Sequence, residues 1–364
     1  MNRVVPRWVD ILLIPLINLL LAFLVAGLVV VIIGEDPFRA MKLLIVGALG
    51  SNYGVGFTLY YATSFIFTGL AVAVAFHASL FNIGGEGQAN FAGLGVALVA
   101  LTMDWSHWVI VFPLAILGGA LFGAAWAAIP AFLQAKRGSH IVITTIMFNY
   151  IATAVLGYLL VNTLKVPGSM APETRRFADG AHLPYIHEVL GWVGIKMSNT
   201  PLNISFIWAL ICCAGVFVLI WRTRLGYRIR AHSEPAARYA GVSPFGIIMI
   251  TMLISGALAG MMALNVVVGG YSQKLVNDPI QGFGFVGIAV ALMGRSHPLG
   301  VILASILFGM LYQGGAELAF EMPAISRDMI VAIQALVILF TGALENMVRL
   351  PIRRMFLQIR VGGR

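Results

Sequence analysis

Residues 81–91 read Phe81-Asn82-Ile83-Gly84-Gly85-Glu86-Gly87-Gln88-Ala89-Asn90-Phe91, a polar, glycine-rich run with a carboxylate. It lies between two mostly apolar segments, 57–76 and 91–103. Polar backbone and an ionisable side chain are costly at membrane depth unless they line a cavity or are buried in protein. Glycines interrupt a helix and free backbone groups, while Asn82, Glu86, Gln88 and Asn90 supply donors and acceptors. The run therefore reads as a broken helix within a membrane protein, and it is where function is expected.

The remainder of the chain sets the same context. Of 364 residues, 60% are hydrophobic and 10% charged, unlike an ordinary soluble domain. The expected fold class is all-α: a polytopic membrane protein in one transmembrane domain over residues 1–364. The net charge of +9 reflects basic loops rather than a nucleic-acid surface, so no nucleic acid is expected as a partner. Cys212 and Cys213 are adjacent in an apolar segment. That excludes a disulfide framework and offers no metal-ligand pattern, so no metal is expected. Arg3 and Arg7 precede an apolar stretch too long for a cleaved signal, so the first span reads as an uncleaved anchor.

A span needs about 20 apolar residues. Ten candidates follow: 11–33, 57–77, 88–103, 108–129, 141–163, 203–221, 244–265, 282–294, 299–313 and 327–347. Segments 282–294 and 299–313 are short and read as half-helices or re-entrant pieces. With the N-terminus inside, 15 Lys and Arg fall on inside segments and 8 outside, which obeys the positive-inside rule. An even count places both termini inside. Residues 164–202 form a long outside loop, with a short surface helix expected near 185–195. Residues 222–243 form a long inside loop, in which Ser233-Glu234-Pro235 starts a short helix and Gly241 stops it.

Val276-Asn277-Asp278-Pro279-Ile280-Gln281-Gly282-Phe283-Gly284-Phe285-Val286-Gly287 echoes the first run: it too leads into a small-residue apolar helix, Ile288 to Leu292. The first run would enter from inside and the second from outside, the pattern of an inverted repeat around a central site. Glu86 either accepts hydrogen bonds from a substrate or anchors the break by accepting N–H bonds from nearby Gly84, Gly85 and Gly87. Gly282 to Gly287 matches G-x-G-x-x-G, but no soluble βαβ unit surrounds it, so close helix packing is the better reading. The chain contains no G-x-x-x-x-G-K-[ST], H-E-x-x-H or G-x-S-x-G. It therefore carries no P-loop of its own and no support for a membrane enzyme. Thr63, Ser64, Asn149, Tyr150 and Gln281 are polar points in or beside spans, and most such residues glue helices. Asn203-Ile204-Ser205 is a glycosylation sequon.

Four stretches carry a family resemblance. They are Phe81 to Gln88, Ile143-Thr144-Thr145-Ile146-Met147-Phe148-Asn149-Tyr150, the loop from Gly226 through Arg230-Ala231 and Glu234-Pro235 to Gly241, and Gly282 to Arg295. Together they resemble the permease subunits of ABC importers, the family that includes ribose, branched-chain amino acid and nucleoside permeases. The first stretch is similar to the nucleoside and simple-sugar branch. In this family Asn-Glu-Val often precedes the second stretch; here His140-Ile141-Val142 stands there, and Ile141 replaces the carboxylate.

The resemblance implies import of a nucleoside or purine-like compound, with a simple sugar second and a stand-alone secondary transporter as the rival. It implies a multi-pass protein of the bacterial cytoplasmic membrane, set in the lipid bilayer. It also implies a division of labour. ATP and magnesium act on a partner ATPase, and this chain binds no cofactor and catalyses nothing. A binding protein delivers substrate to loop 164–202, and a homologous or identical second permease completes the pore. Gly226, Arg230, Ala231, Glu234, Pro235, Ala236, Ala240 and Gly241 would couple to the ATPase. Asn82, Glu86, Gln88, Asn90, Asn149, Gln281 and Phe283 would border the substrate path.

Overall fold

The computed structural model describes residues 9, 13–231, 241, 243–340 and 350–351. Among the described residues every regular element is helical, and two isolated antiparallel bridges pair Glu173 with Val276 and Tyr185 with Asn203. Seven helices among the described residues are long and apolar enough to cross a membrane: 16–33, 52–77, 108–137, 141–164, 205–222, 244–268 and 298–321. The expected spans at 88–103 and 282–294 correspond to helices Gly85–Thr102 and Phe283–Met293, which do not meet that standard, and the described part of the expected span 327–347 holds helix Arg327–Ile338. Residues 341–349 lie outside the described ones.

The chain divides into two compact units. The first comprises residues 1–54 and 310–364. Its described helices are α1 (Ile14–Ile33), α2 (Pro37–Leu49) and α13 (Arg327–Ile338), with the second half of α12 (Pro298–Glu321). Gly34 ends α1 at φ 92°, and the Asp36 carboxylate accepts from Phe38 N–H to start α2 at Pro37. Ala26, Val30, Ala40, Leu318, Ile330 and Ile333 form the core of this unit.

The second unit, residues 55–309, holds most of α3 (Asn52–His77) together with α4 (Gly85–Thr102), α5 (Trp108–Arg137), α6 (Ile141–Leu159), α7 (Ile186–Trp192) and α8 (Ser205–Arg222). It continues with α9 (Arg224–Ala231), α10 (Pro244–Ala263) and α11 (Phe283–Met293). Helix α4 is buried nearly all round, because small residues let its neighbours approach. Gly119 and Gly123 on α5 face Gly260 and Gly256 on α10. A Cβ on Gly119 would stand 3.0 Å from the Gly260 carbonyl oxygen, and Gly95 of α4 meets Gly118 of α5 in the same way. Single π-helical turns, Leu160–Leu164 and Leu264–Val268, extend α6 and α10.

Two sequence expectations need correction, and one helix is unanticipated. Segment 299–313 is not a half-helix: α12 runs 24 residues. Gln313-Gly314-Gly315 lowers the hydropathy without breaking the helix, since Gln313 Nε2 donates to Glu317 Oε1 (3.3 Å) and Gly314 lies against Leu44 backbone. The stretch after the first span contains α2, an amphipathic helix that buries Ala40, Leu44 and Ala48. Loop 222–243 begins as helix α9: Thr223 Oγ1 accepts from Gly226 N–H (3.0 Å), and any Cβ on Gly226 would strike the Leu219 and Ile220 carbonyls. The short helix expected after Pro235, with Glu234, Ala236 and Ala240, lies outside the described residues. The expected surface helix near 185–195 is α7.

Candidate functional site

The first broken segment is closed by its own side chains. Asn82 Oδ1 accepts from Gly84 N–H (2.9 Å) and from Gln88 Nε2 (3.0 Å). Asn82 Nδ2 donates to Gln88 Oε1 (3.0 Å) and to Ser255 Oγ (2.8 Å). Ser255 in turn donates to the Ala71 carbonyl (2.6 Å). From α6, Asn149 Nδ2 donates to the Ile83 carbonyl and its Oδ1 accepts from Gly87 N–H. Asn82 and Gln88 are at most 1% exposed. Buried polar groups of this kind are costly unless fully bonded, and here two amides face each other donor to acceptor.

Glu86 joins the two broken segments. Its Oε1 accepts from Gly282 N–H (2.6 Å) and its Oε2 from Gly284 N–H (2.7 Å). The anchoring alternative for Glu86 therefore describes the geometry, with one change. The N–H groups belong to the second segment, not to Gly84, Gly85 and Gly87. Gly282 sits at φ 87°, in the left-handed region, and turns its N–H toward the carboxylate. Gly284 leaves no room for a Cβ, which would strike Glu86 backbone. One turn further along α4, Asn90 Nδ2 donates to Asp278 Oδ1 (3.0 Å), just before the second break.

The remaining two candidates point elsewhere. Gln281 and Phe283 flank Gly282 and line a cavity of about 310 Å³ with Tyr60, Tyr61, Tyr271 and Lys274. Phe283 stands edge-on to Tyr61 (5.9 Å between centroids) and to Phe65 (5.4 Å). Tyr61 stands edge-on to Tyr60 (5.6 Å). Segment 268–276, which carries Tyr271 and Lys274, is laced to loop 164–202. Leu183 N–H donates to the Val268 carbonyl, Phe177 N–H to Gln273 and Thr174 N–H to Leu275, and Lys274 Nζ meets Glu173 Oε1 at 2.8 Å.

The seven candidates thus fall into two groups. Asn82, Glu86, Gln88, Asn90 and Asn149 bond to protein, whereas Gln281 and Phe283 face the cavity. Sequence reasoning missed Tyr60, Tyr61 and Tyr271, which no local motif marks. It also missed the network around Asn265. Asn265 Oδ1 accepts from Asn203 Nδ2 (3.0 Å) and Ser205 Oγ (3.1 Å), and its Nδ2 donates to Ser64 Oγ (2.9 Å) and the Tyr60 carbonyl (3.0 Å). Asn203 is fully buried, so the sequon is a structural element here. A lone amide in the apolar π-helical turn that extends α10 was the available signal. Of the residues expected to couple to an ATPase, Gly226, Arg230 and Ala231 lie on α9, and Gly241 has φ 74°.

Comparison with known proteins carries this arrangement to a family. A family model described as branched-chain amino acid transport system / permease component matches residues 54–342. The chain is 32% identical to a glucose ABC transporter permease protein of Haloferax volcanii, over 93% of this chain and 89% of that protein. It is also 32% identical to the guanosine ABC transporter permease protein NupP of Bacillus subtilis, covering 91% and 93%. With the nucleoside ABC transporter permease protein NupB of Lactococcus lactis it shares 31%, covering 90% of each. No solved structure matches the chain. The chain belongs to the family of branched-chain amino acid transport system permease components and is an integral-membrane permease subunit of an ABC importer, a transport component whose ATP hydrolysis sits on a separate subunit.

Proposed function

We propose that this permease imports nucleosides or purine-like compounds. The glucose-permease relative keeps a simple sugar as the second reading. The observation that carries the first is the aromatic wall of the cavity at the second break, where Tyr60, Tyr61, Tyr271 and Phe283 gather. Aromatic side chains stack on planar bases. The similarity to a guanosine and a nucleoside permease supports the same substrate class.

In this reading the five hydrogen-bonded candidates, Asn82, Glu86, Gln88, Asn90 and Asn149, hold the frame, and Gln281 and Phe283 meet the substrate. Ten membrane segments, with α4 and α11 as the matched broken helices of an inverted repeat, would put both termini in the cytoplasm of a bacterial inner membrane. The whole chain then acts as one transmembrane domain. Loop 164–202 receives a binding protein, and its lacing to segment 268–276 supports that assignment. An ATPase docks on 222–243, where Gly226, Arg230 and Ala231 begin the contact and Glu234, Pro235, Ala236, Ala240 and Gly241 continue it. A homologous or identical permease completes the pore, and ATP and magnesium act on the ATPase alone.

Co-purification in detergent tests the assembly. An ATPase should accompany the wild-type chain and be lost from a variant carrying Arg230→Glu with Glu234→Arg. If none accompanies the wild type while the chain alone moves nucleoside into liposomes, a secondary transporter is the correct reading.

A further inference from the structure

We infer that the cavity beside the second break takes the planar base of an uncharged nucleoside, read by the Gln281 amide and the Tyr60 hydroxyl. This inference rests on the nucleoside reading above and adds the residues that would set selectivity.

Size comes first. About 310 Å³ lies at the lower end of the range for small-ligand sites, roughly 300–1,000 Å³. The wall is aromatic on both sides of the break in sequence: Tyr60 and Tyr61 come from α3, Phe283 from the start of α11, and Tyr271 from the loop between α10 and α11. Tyr271 is half-exposed, and its hydroxyl donates to Asn199 Oδ1 at 3.3 Å. Such a wall favours a flat π-system, and stacking alone tolerates any base.

Edge recognition needs groups with bonding capacity to spare. Among the described residues the Gln281 side-chain amide and the Tyr60 hydroxyl have no hydrogen-bond partner, although both line the cavity. An amide offers a donor and an acceptor side by side, the pattern that matches a heterocycle edge. Gln281 is also fixed in an unusual backbone state, φ 52°, immediately before the Gly282 that Glu86 holds. A non-glycine residue in that region persists only where its surroundings hold it.

Charge narrows the class further. The Lys274 ammonium at the cavity is engaged by Glu173 at 2.8 Å, with both side chains about one-third exposed. The cation is thus already matched, which suits a nucleoside and disfavours a nucleoside phosphate as cargo.

The test uses the whole importer, permease with its ATPase and binding protein, in proteoliposomes, with radiolabelled guanosine and uridine as probes. Gln281→Leu should lower guanosine uptake, as kcat/KM, about tenfold, the loss expected for one good hydrogen bond to a base edge. It should also change the guanosine-to-uridine ratio, since the two bases present different edges. Tyr60→Phe keeps the ring, removes one oxygen, and should lower uptake severalfold. Guanosine monophosphate should not compete. Co-purification of the ATPase with each variant separates recognition from misfolding. Wild-type guanosine uptake in both variants overturns the site alone, and so does an equal loss for the two nucleosides. A wild-type importer that moves glucose and no nucleoside overturns the substrate reading and the site together.

Discussion

Glu86 Oε2 and the backbone N–H of Gly284 are 2.7 Å apart, and the same carboxylate takes the Gly282 N–H at 2.6 Å through its other oxygen. One side chain thereby fixes the start of α11 to the start of α4, across 196 residues of sequence. Charge-assisted bonds of this kind are shorter and stronger than neutral ones. Of the two readings the sequence offers for Glu86, the geometry is that of an anchor, a clasp between the start of α4 and the start of α11.

Glu86→Gln is accordingly expected to destabilise. The amide keeps one acceptor and sets an NH₂ group against a backbone N–H, which leaves a buried donor unsatisfied at a cost of about 1–3 kcal/mol. Lower detergent melting temperature and lower yield should accompany any loss of uptake. Normal stability with uptake abolished would instead assign Glu86 to the path.

The close seam between α5 and α10 makes Gly260→Val disruptive. Its Cβ would already meet the Gly119 carbonyl and the Ala92 methyl, which stands 2.9 Å away. Overpacking of this kind costs about 1–3 kcal/mol or more, so thermal unfolding should shift down by several degrees. Gly191→Val, where a Cβ meets nothing within 4 Å, serves as the control and should leave the melting temperature close to wild type.

Burial holds the His182 imidazole below its ordinary value of 6.5, with Glu188 and the Gly270 backbone opposing the shift. Its Nε2 is buried without a partner among the described residues. The sign follows from linkage: the unfolded chain binds the proton more readily. This contribution to stability is therefore complete above about pH 6.5 and is lost as pH falls below it. Melting temperature measured from pH 8 down to pH 5.5 should fall less steeply in His182→Gln than in wild type. Identical slopes would remove His182 from the account.

The Glu173–Lys274 pair ties loop 164–202 to the cavity segment, but both side chains are about one-third exposed. Screening limits such a pair to about 0.2–1 kcal/mol. A double-mutant cycle of Glu173→Gln and Lys274→Met should return a coupling in that range that shrinks in 1 M salt. A coupling of several kcal/mol would mean that the pair is shielded from solvent.

Much of this was readable in the sequence, and the unread parts have physical causes. The chemistry of Glu86 was legible because a carboxylate among glycines must find N–H groups. Which N–H groups it takes was not, because Gly282 and Gly284 reach it only through the tertiary fold. Long apolar helices such as Trp108–Arg137 stood out by composition, although Pro113 and Pro130 lie within that one. Helix α2 did not stand out, since Arg39 and Lys42 give it the look of a loop and only its buried stripe of Ala40, Leu44 and Ala48 identifies it. The aromatic cavity was invisible for a related reason. Tyr60 and Tyr271 belong to distant segments, and an aromatic residue in or beside a span gives no sign of which neighbours it will meet.

The central claim is ATP-driven entry of nucleosides through this subunit, and uptake into proteoliposomes that contain the complete importer measures it directly. Radiolabelled guanosine should accumulate only when ATP reaches the ATPase and the binding protein is present, and excess unlabelled nucleoside should abolish the signal while glucose does not. Accumulation of glucose in place of guanosine, or guanosine uptake that persists without the ATPase, would contradict the account.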